Sequence, residues 1–164
     1  MVNYILKTLG DTMKVVYGHT DSIYVQIDSV EKAQVAIKEI EWFVREMFPN
    51  VMGLDEHPVS LEFEKYYSAL GVGTTKNRNA GLVSWEDGVW LNEPKFTMTG
   101  FTAKRVSETK LAKDVQTTVL KMWVGQKDMK SINKYLSDKY NDVMDGKLET
   151  SDIIKRSRLR EDRV

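Results

Sequence analysis

Apolar and polar positions change their period several times along the chain, and each change marks an element. Val2 to Leu9 reads as the end of a helix, with Gly10 as its C-cap. Residues 13–18 and 22–28 are apolar and rich in β-formers, which predicts a hairpin around His19-Thr20. From Val30 to Phe48 the apolar residues Val35, Ile37, Ile40, Phe43, Val44 and Met47 recur at helical spacing with charges between them. Asp28 and Glu31 stand at an acidic version of the capping-box spacing, and Pro49-Asn50 end the helix. Val59, Leu61 and Phe63 alternate with Ser60, Glu62 and Glu64, the pattern of a half-buried strand over Val59 to Tyr67. Two more strands are expected at 68–74 and 79–86, then a turn at Glu86-Asp87-Gly88 and a return over Val89 to Leu91. After Ser107 the chain has no proline and reads as three helices, 107–124, 128–144 and 150–162, broken at Gly125 and Gly146. The fold class is therefore α+β. An antiparallel sheet with a packed helix fills residues 1–105, and an all-helical part fills 106–164.

Composition narrows the chemistry. With 164 residues the chain can bury a core without staples. It has no cysteine, so no disulfide framework and no thiolate zinc site, and its two histidines are far apart. No apolar run reaches the roughly 20 residues of a membrane helix, and Met1 to Lys7 lack the features of a signal peptide. A cytoplasmic location and no membrane partner are expected. The formal charge is zero but uneven. Asp28 to Lys65 carries nine acidic and four basic residues, and Tyr66 to the end carries eighteen basic and thirteen acidic. A polyanion would meet the second half, yet zero net charge argues against strong autonomous DNA binding.

Three groups of residues can carry chemistry. Asp21 sits at the hairpin tip with His19, Thr20 and Ser22. On its own it reads either as a turn aspartate bonded to its own backbone or as a fixed carboxylate for a divalent cation. Glu62 and Glu64 share one face of their segment, which suits a cation or a solvated sheet face. Lys76, Arg78, Lys104 and Arg105 can contact phosphates or form a scattered basic surface. The denser run Lys155, Arg156, Arg158, Arg160 and Arg163 reads first as a solvated helix face and second as a DNA contact. No phosphate-cradling glycine loop or nucleophile triad is present.

Four stretches, in order, resemble the C-terminal part of the family B DNA polymerases. Tyr17-Gly18-His19-Thr20-Asp21-Ser22 resembles motif C, usually Tyr-Gly-Asp-Thr-Asp-Ser. Leu61 to Tyr66 resembles the strand that follows the intervening helix. Lys76-Asn77-Arg78-Asn79-Ala80-Gly81 resembles Lys-Lys-Arg-Tyr-Ala-Gly, and Thr99-Gly100-Phe101 through Arg105 resembles the passage from palm to thumb. The resemblance implies a partial palm over 1–105 and a helical thumb over 106–164. It implies that Asp21 holds the second motif C position as a catalytic metal ligand and that Glu64 is catalytic beside it. His19, Thr20 and Glu62 would be neighbours of the metal site. Lys76, Asn77, Arg78, Asn79, Lys104 and Arg105 would contact DNA. The implied cofactor is Mg2+ shared with a partner chain, with Mn2+ as the alternative. The implied partners are a large polymerase chain with motif A and fingers, primer-template DNA and a deoxynucleotide triphosphate.

The departures matter too. His19 replaces the first motif C aspartate, Asn77 and Asn79 replace a lysine and a tyrosine, and neither motif A nor a fingers motif is found. The chain is therefore expected to be inactive alone. The alternative is a catalytically degenerate DNA-binding or scaffolding relic of a polymerase. A weaker one is an unrelated α+β domain whose late helices pack onto the sheet.

Overall fold

The structure, a computed structural model, describes residues 5, 7–11, 13–19, 22–75 and 77–157. The described chain is α+β. The hairpin is formed by β1 (Lys14–His19) and β2 (Ser22–Gln26), paired antiparallel with His19 opposite Ser22. The register slips between Val15 and Tyr17, so Val16 is an extra residue in β1. Such a bulge bends one strand and sharpens its twist. Beyond it Tyr17 faces Tyr24, with ring centroids 5.5 Å apart.

Helix α1 (Val30–Met47) lies against the other face of the hairpin. Ile5, Met13, Ala36, Ile40 and Val44 form a buried cluster, with Val15, Ile23, Val25 and Ile27 packed on it. The helix begins one residue later than the acidic spacing suggested. Ser29 is the N-cap, and its Oγ accepts from the Lys32 N–H at 3.2 Å. Asp28 instead pairs with the Lys32 ammonium at 2.7 Å, which holds its carboxyl below the usual range. Ser29→Ala is expected to destabilise the fold by about 1 kcal/mol, read from denaturant unfolding. The buried stripe is Val30, Ala33, Ala36, Ile40 and Val44, whereas Val35 and Met47 are exposed.

The segment 59–64 keeps its predicted alternation: Leu61 and Phe63 are half-buried, Glu62 and Glu64 exposed. It is not a strand, because its backbone is engaged elsewhere. The Val59 carbonyl accepts from Arg45 Nε at 3.0 Å, and the Val59 N–H donates to His57 Nδ1 at 3.0 Å. Pairing begins at β3 (Lys65–Val72), followed by β4 (Asn79–Glu86) and β5 (Val89–Thr99), in the order β3-β4-β5. The Asp87-Gly88 turn has φ of 49° and 88°, the left-handed pair that matches strand twist in a two-residue hairpin. Strand β5 runs eight residues beyond the predicted Leu91. It is an edge strand, where Pro94 removes no central ladder bond.

After a 3-10 turn (Thr102–Lys104) come α2 (Lys110–Val124), α3 (Met129–Met144) and the short α4 (Thr150–Ile153). Helix α4 ends far short of the predicted 150–162, since the Arg156 N–H donates to the Ser107 carbonyl at 3.3 Å instead of continuing the helix. Residues 158–162 of that prediction lie outside the described residues.

Asp128 caps α3 by accepting from the Ser131 N–H at 2.8 Å and the Ser131 hydroxyl at 2.8 Å. These bonds hold its carboxyl below the ordinary 3.8. A lowered folded-state pKa means that its stabilisation is present above the unfolded value and disappears as pH falls through the folded one. Thermal unfolding of Asp128→Asn is expected to show a weaker acid-side loss of stability than the parent.

The contacts gather into two units. One comprises residues 1–66 with 85–89, and the other 67–84 with 90–164. The first holds the hairpin, α1 and the Phe63–Trp85 stack, with centroids 4.5 Å apart at 19°. In the second, α2 lies on β3: a Cβ on Gly71 would meet the Trp123 indole ring. Lys121 Nζ sits 5.6 Å from the Phe96 ring centroid. No helix of the described residues is long and apolar enough to cross a membrane.

Candidate nucleic-acid interface and candidate metal-site hairpin

The hairpin forms where the sequence predicted it, with two residues between His19 and Ser22. Those two, Thr20 and Asp21, lie outside the described residues, and so does the His19 side chain. Glu62 and Glu64 are exposed, on the outward side of the segment leading into β3. The Glu64 carbonyl accepts from the Asp87 N–H at 3.1 Å, which fixes its backbone beside the β4–β5 turn. Their carboxylate oxygens suit a hard cation such as magnesium, but a cation of this kind takes about six oxygen donors. No group of three or more acidic or histidine side chains gathers among the described residues. They fit a divalent cation only as part of a donor set.

The basic segments come together more fully. The β3–β4 connection closes with the Gly73 N–H donating to the Arg78 carbonyl at 2.7 Å. Within it Asn77 has φ of 62°, a left-handed conformation that asparagine adopts more readily than lysine. Its presence at this position therefore has a backbone reason. Gly100, at φ 76°, follows β5 and lies directly on this turn: a Cβ there would meet the Asn77 carbonyl and stand 3.2 Å from Arg78 Cγ. The turn at Asn77 and Arg78 is thus in contact with the passage after β5 through a glycine that both its backbone angle and its surroundings require. Lys76 itself lies outside the described residues.

Beyond Gly100, the 3-10 turn presents Lys104 and Arg105. It is held by Gln116 of α2, whose Oε1 accepts from the Ala103 N–H at 2.7 Å and the Thr102 hydroxyl at 3.0 Å. Arg78, Lys104 and Arg105 are all exposed, and none forms an ion pair among the described residues. Asn79 is half-buried at the start of β4. Ala80 and Gly81 serve packing, since Ala80 is fully buried and a Cβ on Gly81 would stand 2.5 Å from the Tyr67 ring. Gln116 was not among the residues singled out from sequence. A lone glutamine on a helix gives no signal of its target until the turn is folded against it.

Residues 4–162 match the family described as DNA polymerase family B. The chain belongs to that family. It is 31% identical over 144 residues to the DNA polymerase zeta catalytic subunit of Arabidopsis thaliana, covering 86% of this chain and 7% of that protein. It is 27% identical over 141 residues to a DNA polymerase of Archaeoglobus fulgidus, covering 86% of this chain and 16% of that one. The family B DNA polymerase structure from Pyrobaculum calidifontis superposes with a TM-score of 0.62 at 20% identity, over 99% of this chain and 19% of the other. This family B chain therefore spans a small part of the length of the relatives it matches. The family match also answers the reading of an unrelated α+β domain, although α2 does pack onto the sheet as that reading expected.

Proposed function

We propose that this family B chain supplies part of the palm (1–105) and the thumb (106–164) of a DNA polymerase, working in template-directed DNA synthesis. Palm and thumb are defined by their places around DNA, so they need not coincide with the contact units. The observation that carries the reading is the unbroken match over residues 4–162, with the hairpin bearing Asp21 at its start. Support also comes from the contact of Gly100 with Asn77 and Arg78, which sets the exposed Arg78 beside the segment that leads to the exposed Lys104 and Arg105.

In this reading the hairpin carries the Asp21 carboxylate to the reaction centre, and Glu64 adds negative charge nearby. His19, Thr20 and Glu62 border that centre. The divalent ion, Mg2+ or Mn2+, would activate the primer hydroxyl and neutralise charge on the nucleotide phosphates. Lys76, Asn77, Arg78, Asn79, Lys104 and Arg105 would position the primer-template duplex through its backbone. In this reading synthesis also needs motif A and the fingers, neither of which is found in these 164 residues.

A second reading, a degenerate relic that binds or scaffolds DNA, is favoured by His19 at the first motif C position. The test is primer extension by this chain together with a polypeptide carrying motif A and fingers. The polymerase reading predicts extension that requires both parts and depends on Mg2+ or Mn2+. The relic predicts none.

A further inference from the structure

The start of α2 and the end of the described chain enclose a cleft of about 280 Å³. It is lined by Val106, Glu108, Lys110, Lys113, Ser151, Ile154 and Arg156. It exists because the chain folds back after α4: Arg156 donates its N–H to Ser107, and Lys110 pairs with Asp152 at 3.2 Å.

The charges around it are unequal in their commitments. Asp152 is taken by Lys110, and Glu108 lies 3.7 Å from Lys155. The first turn of α2 has no acidic residue. Lys113 and Arg156 are left lining the cleft, and neither forms an ion pair among the described residues. Lys113 is half-buried.

We infer that this cleft binds a phosphate group through Lys113 and Arg156. Arginine offers a planar fork that matches phosphate oxygens, and lysine adds a point charge. Lys110 and Lys155 pair with two of the nearby carboxylates, Asp152 and Glu108, while a third, Glu149, accepts from the Ser151 hydroxyl at 3.4 Å. The phosphate comes either from a nucleic-acid backbone or from a free phosphate compound. The inference rests on the cleft and stands whether or not the chain takes part in polymerisation.

The test uses the full chain and the double variant Lys113→Ala/Arg156→Ala. Circular dichroism checks that the fold is retained. Inorganic phosphate is titrated while backbone amide resonances are followed by NMR, and a short DNA duplex is titrated by fluorescence anisotropy at several salt concentrations. The expected result is a saturable phosphate response centred on residues 106–113 that weakens about tenfold or more in the variant. Loss of about one unit of salt slope in duplex binding would identify the backbone as the source. A phosphate response without that loss would identify a free phosphate compound. Equal phosphate titrations for parent and variant, with equal duplex salt slopes, would overturn the inference.

Discussion

Gly100→Ala is expected to destabilise the protein by about 2–4 kcal/mol. Two costs combine. At φ 76° an alanine meets the left-handed penalty of about 1–2 kcal/mol. Its Cβ would also overlap the Asn77 carbonyl, which is backbone and cannot rotate away. Overpacking of this kind costs about 1–3 kcal/mol. Gly146→Ala is the comparison: φ is 67°, but nothing lies within 4 Å of the added carbon, so only the first cost applies. Denaturant unfolding followed by tryptophan fluorescence reads both variants. Equal losses would mean that the β3–β4 turn and the passage after β5 do not touch as described.

This contact shows where sequence reading reached its limit. Both segments could be recognised separately, and their basic residues named. Their meeting could not, since it depends on β5 running on to Thr99 past Pro94 instead of ending near Leu91. The hairpin and α1 were legible because their periods, two and 3.6, differ so clearly. The buried face of α1 was less so. Counting large apolar residues selected Val35 and Met47, which are exposed, and passed over Ala33 and Ala36, which are buried. Small side chains carry little hydrophobic signal, yet they let a helix approach a sheet closely. The alternation over 59–64 marks a face but not a strand, since the Arg45 and His57 side chains occupy the Val59 backbone. Gln116 and the early end of α4 both depend on bonds between residues distant in sequence.

The largest expected effect belongs to Asp21→Ala. If the hairpin delivers this carboxylate to a divalent ion, removing it takes away one anionic ligand and leaves the ion misplaced. Metal stabilisation of the reacting phosphates amounts to several kcal/mol, so a loss of about 4 kcal/mol corresponds to about 10³-fold in rate. Stability should change little, since the residue lies between two paired strands whose core contacts come from Val15, Ile23, Val25 and Ile27. His19 gives a useful contrast. The position already lacks the aspartate of the family motif, so restoring it by His19→Asp is expected to leave extension intact or to raise it.

The decisive measurement is the primer-extension rate of this chain assembled with a polypeptide that carries motif A and the fingers, with and without Asp21→Ala, across a Mg2+ titration. The account predicts metal-dependent extension that falls about 10³-fold in the variant while assembly and duplex binding persist. An unchanged rate in the variant would contradict it.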